Sequence, residues 1–242
     1  SSVNDAPTIT NGAVAVLSGT NEDAASAGTS VATILASVGW ADVDSGALKG
    51  IAITSGTGNG NWQYSTDGVS WANLGAVSAT NGLLLSSTSF VRYLPDAANA
   101  ETATFGFRAW DRSAGTASTN ASPSYANPGA GGGSNAYSSS SASASLTVSA
   151  VNDAPTVTNG STASLAGTNE NTASSGTTVA TILGATGRVD VDGGAASGVA
   201  VTALAGNGTW QYSTDGLTWT AFGPVSTSSA LLLASATQVR YQ

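Results

Sequence analysis

The chain has 242 residues, with 14 acidic and 6 basic side chains, a net charge of −8, and neither cysteine nor histidine. The missing Cys and His exclude disulfides, thiolate or His-ligated metal sites and Ser-His-Asp or Cys-His nucleophiles. A single lysine and scattered arginines leave no basic patch for nucleic acid, and no apolar run approaches the roughly 20 residues of a membrane-spanning helix.

Strand-like runs follow one another at intervals of roughly 8–18 residues. In chain order they are residues 13–17, 30–35, 51–54, 61–65, 70–74, 83–86, 90–94, 103–110 and 144–149. Phe105, Phe107 and Ala109 fall on one face of their run, and Gly106, Arg108 and Trp110 on the other. Leu146 and Val148 alternate with Ser145, Thr147 and Ser149. Period-two patterning, with Gly, Asn, Asp and Ser between runs, predicts an all-β chain of antiparallel β-sandwich domains. No run shows a persuasive 3.6-residue apolar period, so helices are not expected. Residues 112–142 are mostly Ser, Ala, Gly and Asn. They are expected to form a flexible loop with little apolar surface to bury, pinned locally by Tyr125 and Tyr137.

The chain also repeats itself. Val3-Asn4-Asp5-Ala6-Pro7-Thr8 returns from position 151, and Trp62-Gln63-Tyr64-Ser65-Thr66-Asp67-Gly68 returns from position 210. More than half of the aligned positions are identical without a gap, the mark of a module copied for length. The expected domains are residues 1–150, a complete repeat, and 151–242, a truncated second copy. The second copy contains no counterpart of residues 105–110 and 146–149. Either a longer chain continues the repeat, or a neighbouring subunit supplies the strands, as in donor-strand filaments. Ser1 falls inside a repeat junction, where no signal peptide is read.

Ten of the acids form five pairs at the repeat offset: Asp5 with Asp153, Glu22 with Glu170, Asp42 with Asp190, Asp44 with Asp192, and Asp67 with Asp215. Asp42-Val43-Asp44 and Asp190-Val191-Asp192 project two carboxylates the same way, close enough to share a cation such as calcium, which takes six to eight oxygens. The alternative is that these residues cap turns. Paired carboxylates also serve glycoside hydrolysis. Because the same acids sit in turns of both copies, no catalytic residue is expected.

The order Asn-Glu (21–22), Asp-x-Asp (42–44), Ala-x-Asp (109–111) and Asn-Asp-Ala-Pro (152–155) resembles cadherin-type repeats. More closely, it is similar to the bacterial cadherin-like and immunoglobulin-like modules of giant secreted adhesins. The resemblance spans essentially the whole chain and implies seven-stranded sandwiches strung end to end, with calcium stiffening each junction. Carried over by position, Glu22, Asn152, Asp153, Asp190 and Asp192 would serve the central junction, with Asp96 or Glu101 as further contributors. Asn4, Asp5, Asp42, Asp44 and Asp111 would serve the junction before it. The linker is poorer in acids than cadherin linkers, which leaves the number of ions open. The implied protein is a secreted or cell-surface structural and adhesive array. Its partners would be neighbouring repeats or like subunits, in a filament.

Residues 62–71 recur as residues 210–219, each with an Asp-Gly hairpin signal. They resemble the Asp-box hairpin of sialidases, which implies that Asp67 and Asp215 tighten the turn. The aromatic residues here have two readings: core packing, or stacking on surface glycans as a carbohydrate-binding module. Trp40 becomes Arg188 in the second copy, which marks a surface contact rather than deep core.

Overall fold

A computed structural model describes residues 3–242. The chain divides into two compact units, the first ending at Val151 and the second spanning Asn152–Gln242. It is mostly β, in several largely antiparallel sheets.

The first unit contains β1 (Val14–Val16), β2 (Thr20–Asn21), β3 (Thr29–Ser30), α1 (Val31–Ser37), β4 (Gly50–Thr57), β5 (Asn61–Ser65) and β6 (Ala72–Asn73). It continues with β7 (Gly82–Ser86), β8 (Phe90–Leu94), β9 (Glu101–Trp110), β10 (Tyr125–Ala126) and β11 (Ala142–Ser149). One sheet runs β1-β11-β9-β4-β7-β10, with β2 also on β11; the other runs β3-β8-β5-β6. The alternation read in residues 103–110 reappears as burial. Ala103, Phe105, Phe107 and Ala109 are at most 1 % exposed and join Ile51 and Ile53 in the core, with Trp62, Val91 and Tyr93 from the second sheet. Each such large side chain contributes about 1.5–3 kcal/mol when fully buried.

Three expectations change. Residues 31–35 are helical rather than extended: Ser30 ends β3 and caps α1, its Oγ accepting from the Thr33 N–H at 3.1 Å. The buried residues Val31, Ile34, Leu35 and Val38 have the one-face spacing of a helix. That period hides in seven residues too rich in β-branched side chains to read as helical. Second, β1 and β2 pair with β11 in parallel, so the sheet is not wholly antiparallel. Third, residues 112–142 are packed rather than a free loop. Ala136 and Tyr137 cover Trp110, Ala52 and Leu84 on the sheet's outer face, and β10 extends that sheet beside β7. Arg108 donates to the carbonyls of Ala130, Ser138 and Ser139 at 2.7–2.9 Å. A few aromatic residues and many backbone hydrogen bonds hold this segment, a combination that composition alone does not reveal.

The second unit contains β12 (Thr177–Thr178), α2 (Val179–Ala185), β13 (Gly198–Val201), β14 (Trp210–Ser213), β15 (Thr220–Ala221), β16 (Leu231–Ala234) and β17 (Gln238–Tyr241). Its β12-β17-β14-β15 sheet repeats the β3-β8-β5-β6 order, while β13 and β16 pair alone. The residues matching β1 and β2, 162–164 and 168–169, form no strand.

Candidate functional site

In each unit the Asn-Asp-Ala-Pro-Thr segment is fastened beside its Asp-x-Asp pair by a short antiparallel bridge, Thr8 to Ala41 in the first and Thr156 to Val189 in the second. The acids then connect through backbone donors. The Asp5 N–H donates to Asp44 Oδ2 at 2.7 Å, and the Asp44 N–H to Asp42 Oδ1 at 2.8 Å. In the second unit the Asp153 N–H donates to Asp192 Oδ2 at 2.8 Å, and the Asp192 N–H to Asp190 Oδ1 at 3.2 Å. These bonds are what turn capping requires.

The first unit adds more groups to this acidic end. Asn4 Nδ2 donates to Asp111 Oδ2 at 2.9 Å and to the Asn135 carbonyl, and Asp111, 5 % exposed, also accepts from the Ser113 N–H. Thus Asn4 is tied to Asp111 after β9, and Asp5 to the Asp42–Asp44 pair in the loop following α1. What remains over is Asp42 Oδ2, and in the second unit Asp153 Oδ2: each is buried and has no hydrogen-bond partner. A buried carboxylate oxygen without a partner is costly, and a hard cation bound through oxygen would satisfy it.

The two ends differ at one position that the sequence marked without explaining. Arg188 Nη2 pairs with Asp190 Oδ2 at 2.5 Å, and the Asp190 side chain is only 6 % exposed. In the first unit Trp40 stands at that place, with its Nε1 buried and unpartnered, and Lys49 Nζ lies 4.3 Å over its ring instead. Asp190 therefore has a built-in cation where Asp42 has none. The repeat comparison, Trp40 against Arg188 two residues before an aspartate, was the available signal.

The remaining expected residues have local partners. Glu22 Oε1 accepts from the Val151 N–H at 2.5 Å within the first unit. Asn152 Nδ2 donates to the Asp153 carbonyl at 3.3 Å. Asp96 caps the turn at Ala98 and Asn99, and Glu101 accepts from the Asn59 N–H and the Tyr93 hydroxyl. Burial, with Glu101 as the hydroxyl's acceptor, raises the Tyr93 pKa.

The tryptophan hairpins are built as the Asp-Gly signal suggests. Gly68 and Gly216 take φ of 75° and 73°. Asp67 Oδ1 accepts from the N–H groups of Val69 and Ser70 and from the Ser65 hydroxyl, and these bonds hold its carboxyl well below the usual carboxylate range. Asp215 is held down likewise by Thr218, Leu217 and Ser213. The aromatic rings are largely occupied. Trp62 is 6 % exposed and meets Phe105 edge-on at 4.8 Å, while Arg92 lies 4.2 Å over Trp71 and Arg240 lies 4.1 Å over Trp219.

Among the described residues no helix is long and apolar enough to cross a membrane. Compared with known proteins, the chain matches no family model, no curated protein and no solved structure.

Proposed function

We propose that the chain is a tandem-repeat segment of a bacterial extracellular structural and adhesive protein, made of cadherin-like or immunoglobulin-like β-sandwich modules whose junctions calcium stiffens. The observation that carries this reading is the acidic end built twice by the same chain of bonds: Asp5 to Asp44 to Asp42, and Asp153 to Asp192 to Asp190. Two sheets sharing one core in the first unit support the module type. The orphaned Asp42 oxygen supports a cation beside the Asp42–Asp44 pair of the first unit. Calcium there would neutralise that pair and tie the Asn-Asp-Ala-Pro segment, which bonds to Asp44, to the body of its module. Surface location and assembly with neighbouring repeats or like subunits, in a filament, follow from the same reading. Carbohydrate binding through the hairpins is the weaker reading, because Arg92 and Arg240 already cover the ring faces a sugar would need.

Calorimetric titration of calcium into the chelated chain tests the proposal. A saturable heat and a higher melting temperature are expected. Identical melting in EDTA and in calcium would sink the cation reading.

A further inference from the structure

The outer face of the β3-β8-β5-β6 sheet holds a guanidinium with no acid beside it. Cross-strand pairing sets Asn73, Gln63 and Arg92 in one row over β6, β5 and β8. Arg92 Nε donates to Gln63 Oε1 at 2.9 Å, and its guanidinium lies 4.2 Å over the Trp71 ring. Trp71 rests in turn on the backbone at Gly28, where a Cβ would come within 2.6 Å of Trp71 Cη2. The second unit repeats every part. Arg240 Nε donates to Gln211 Oε1 at 2.7 Å, its guanidinium lies 4.1 Å over Trp219, and a Cβ at Gly176 would come within 2.8 Å of that ring. The chain has 14 acids, yet among the described residues its one ion pair is Arg188 with Asp190. Among those residues Arg92 and Arg240 bond through Nε alone. Each stack therefore fixes a guanidinium by its face and its Nε and leaves the Nη edge open. Beside the row in the first unit is a cleft of about 410 Å³, within the range of small-ligand sites. Asn73 lines it with Thr57, Asn61, Trp62 and Gly75, and no charged side chain does.

We infer that this face binds an acidic polysaccharide: a uronate carboxylate sits on the Nη edge of Arg92, and a neighbouring sugar enters the cleft beside Asn61 and Asn73. A planar guanidinium already held at its face and its Nε is pre-organised for a two-point bond to a carboxylate. Asn73 is two strand spacings from Arg92, about 10 Å, so one ligand that reaches both is a chain of sugars rather than a single ring. The amides and the Thr57 hydroxyl can bond sugar hydroxyls, which an acidic polypeptide does not bring. Nucleic acid needs clustered cations, and Arg92 stands alone on its face. Two guanidiniums at the repeat offset suit a polymer with many equivalent carboxylates, because linked sites raise the effective concentration. The second unit keeps the cation but has Thr209 and Ala221 in place of Asn61 and Asn73, so it is the weaker site. No ring stacks on sugar here, since the guanidinium covers it. This inference stands apart from the calcium reading and needs no metal ion.

The test is binding of the full chain to polygalacturonate in EDTA, where no calcium can bridge the two, with dextran and poly-glutamate as controls. Saturable binding to polygalacturonate alone is expected. Arg92→Gln should weaken it at least tenfold and Arg240→Gln less. Arg92→Lys should weaken it nearly as much as Arg92→Gln, because an ammonium cannot make the two-point bond. Asn61→Ala, which leaves the Arg92 stack untouched, should weaken it several-fold. Melting curves matching the parent's would show that the variants are folded. No binding by the parent, equal binding of dextran or poly-glutamate, or undiminished binding by Arg92→Gln, Arg92→Lys or Asn61→Ala would overturn the proposal.

Discussion

Replacing Asp42 with Asn separates a cation site from a turn cap by the sign of the stability change. In the native chain Oδ1 serves the Asp44 N–H, while Oδ2 is buried without a partner. Asn keeps the first acceptor and removes the unpaired charge. In EDTA the variant should therefore be as stable as the parent or gain up to about 1 kcal/mol. Calcium reverses the order. At a hundredfold excess over its Kd, a ligand bound only by the folded state stabilises by about 2.7 kcal/mol, which for a unit of this size is a rise of roughly 5–10 °C in Tm. Asn, lacking the negative charge, should lose most of that rise. The assay is differential scanning calorimetry of both proteins in EDTA and in calcium, following the transition of the first unit. A parent insensitive to calcium, or a variant that loses stability equally in both buffers, would refute the reasoning and leave Asp42 as a turn cap alone.

Arg188→Gln should act in the opposite sense, removing the cation that neutralises Asp190. The second unit should lose roughly 2 kcal/mol in urea melts without calcium, less than the about 3–5 kcal/mol of a fully buried pair because Arg188 is 18 % exposed on its side chain. No change in the midpoint would show that the pair contributes nothing. For the hairpins, the carboxyls of Asp67 and Asp215 are depressed in the folded state. Their contribution is thus fully present above the ordinary Asp value of about 3.9 and is lost as pH falls through the lower folded value. Carboxyl carbon shifts in an acid titration should show both residues still ionised at about pH 3; midpoints near 3.9 would contradict the turn geometry.

Much of the candidate site was legible because it is written twice. The repeat offset picked out Asp5, Asp42 and Asp44 with their partners in the second copy, and marked Trp40 and Arg188 as the place where the copies diverge. What the pairs do could not be read there, since the Asp42 Oδ1 bond to Asp44 is local, whereas the burial of Oδ2 depends on what packs around it. Asp111 reaches Asn4 only because β9 brings together residues more than a hundred positions apart.

The sequence by itself determined the local features: the Asp-Gly hairpins, and the alternating faces of β9 that became core. Both depend on near neighbours, through positive φ at one glycine and the two-residue period of an extended chain. Tertiary structure decided the rest. Residues 31–37 became a helix because a cap and one buried face outweighed β-branched propensity. Residues 112–142 packed because Trp110 and Leu84 offered them an apolar surface.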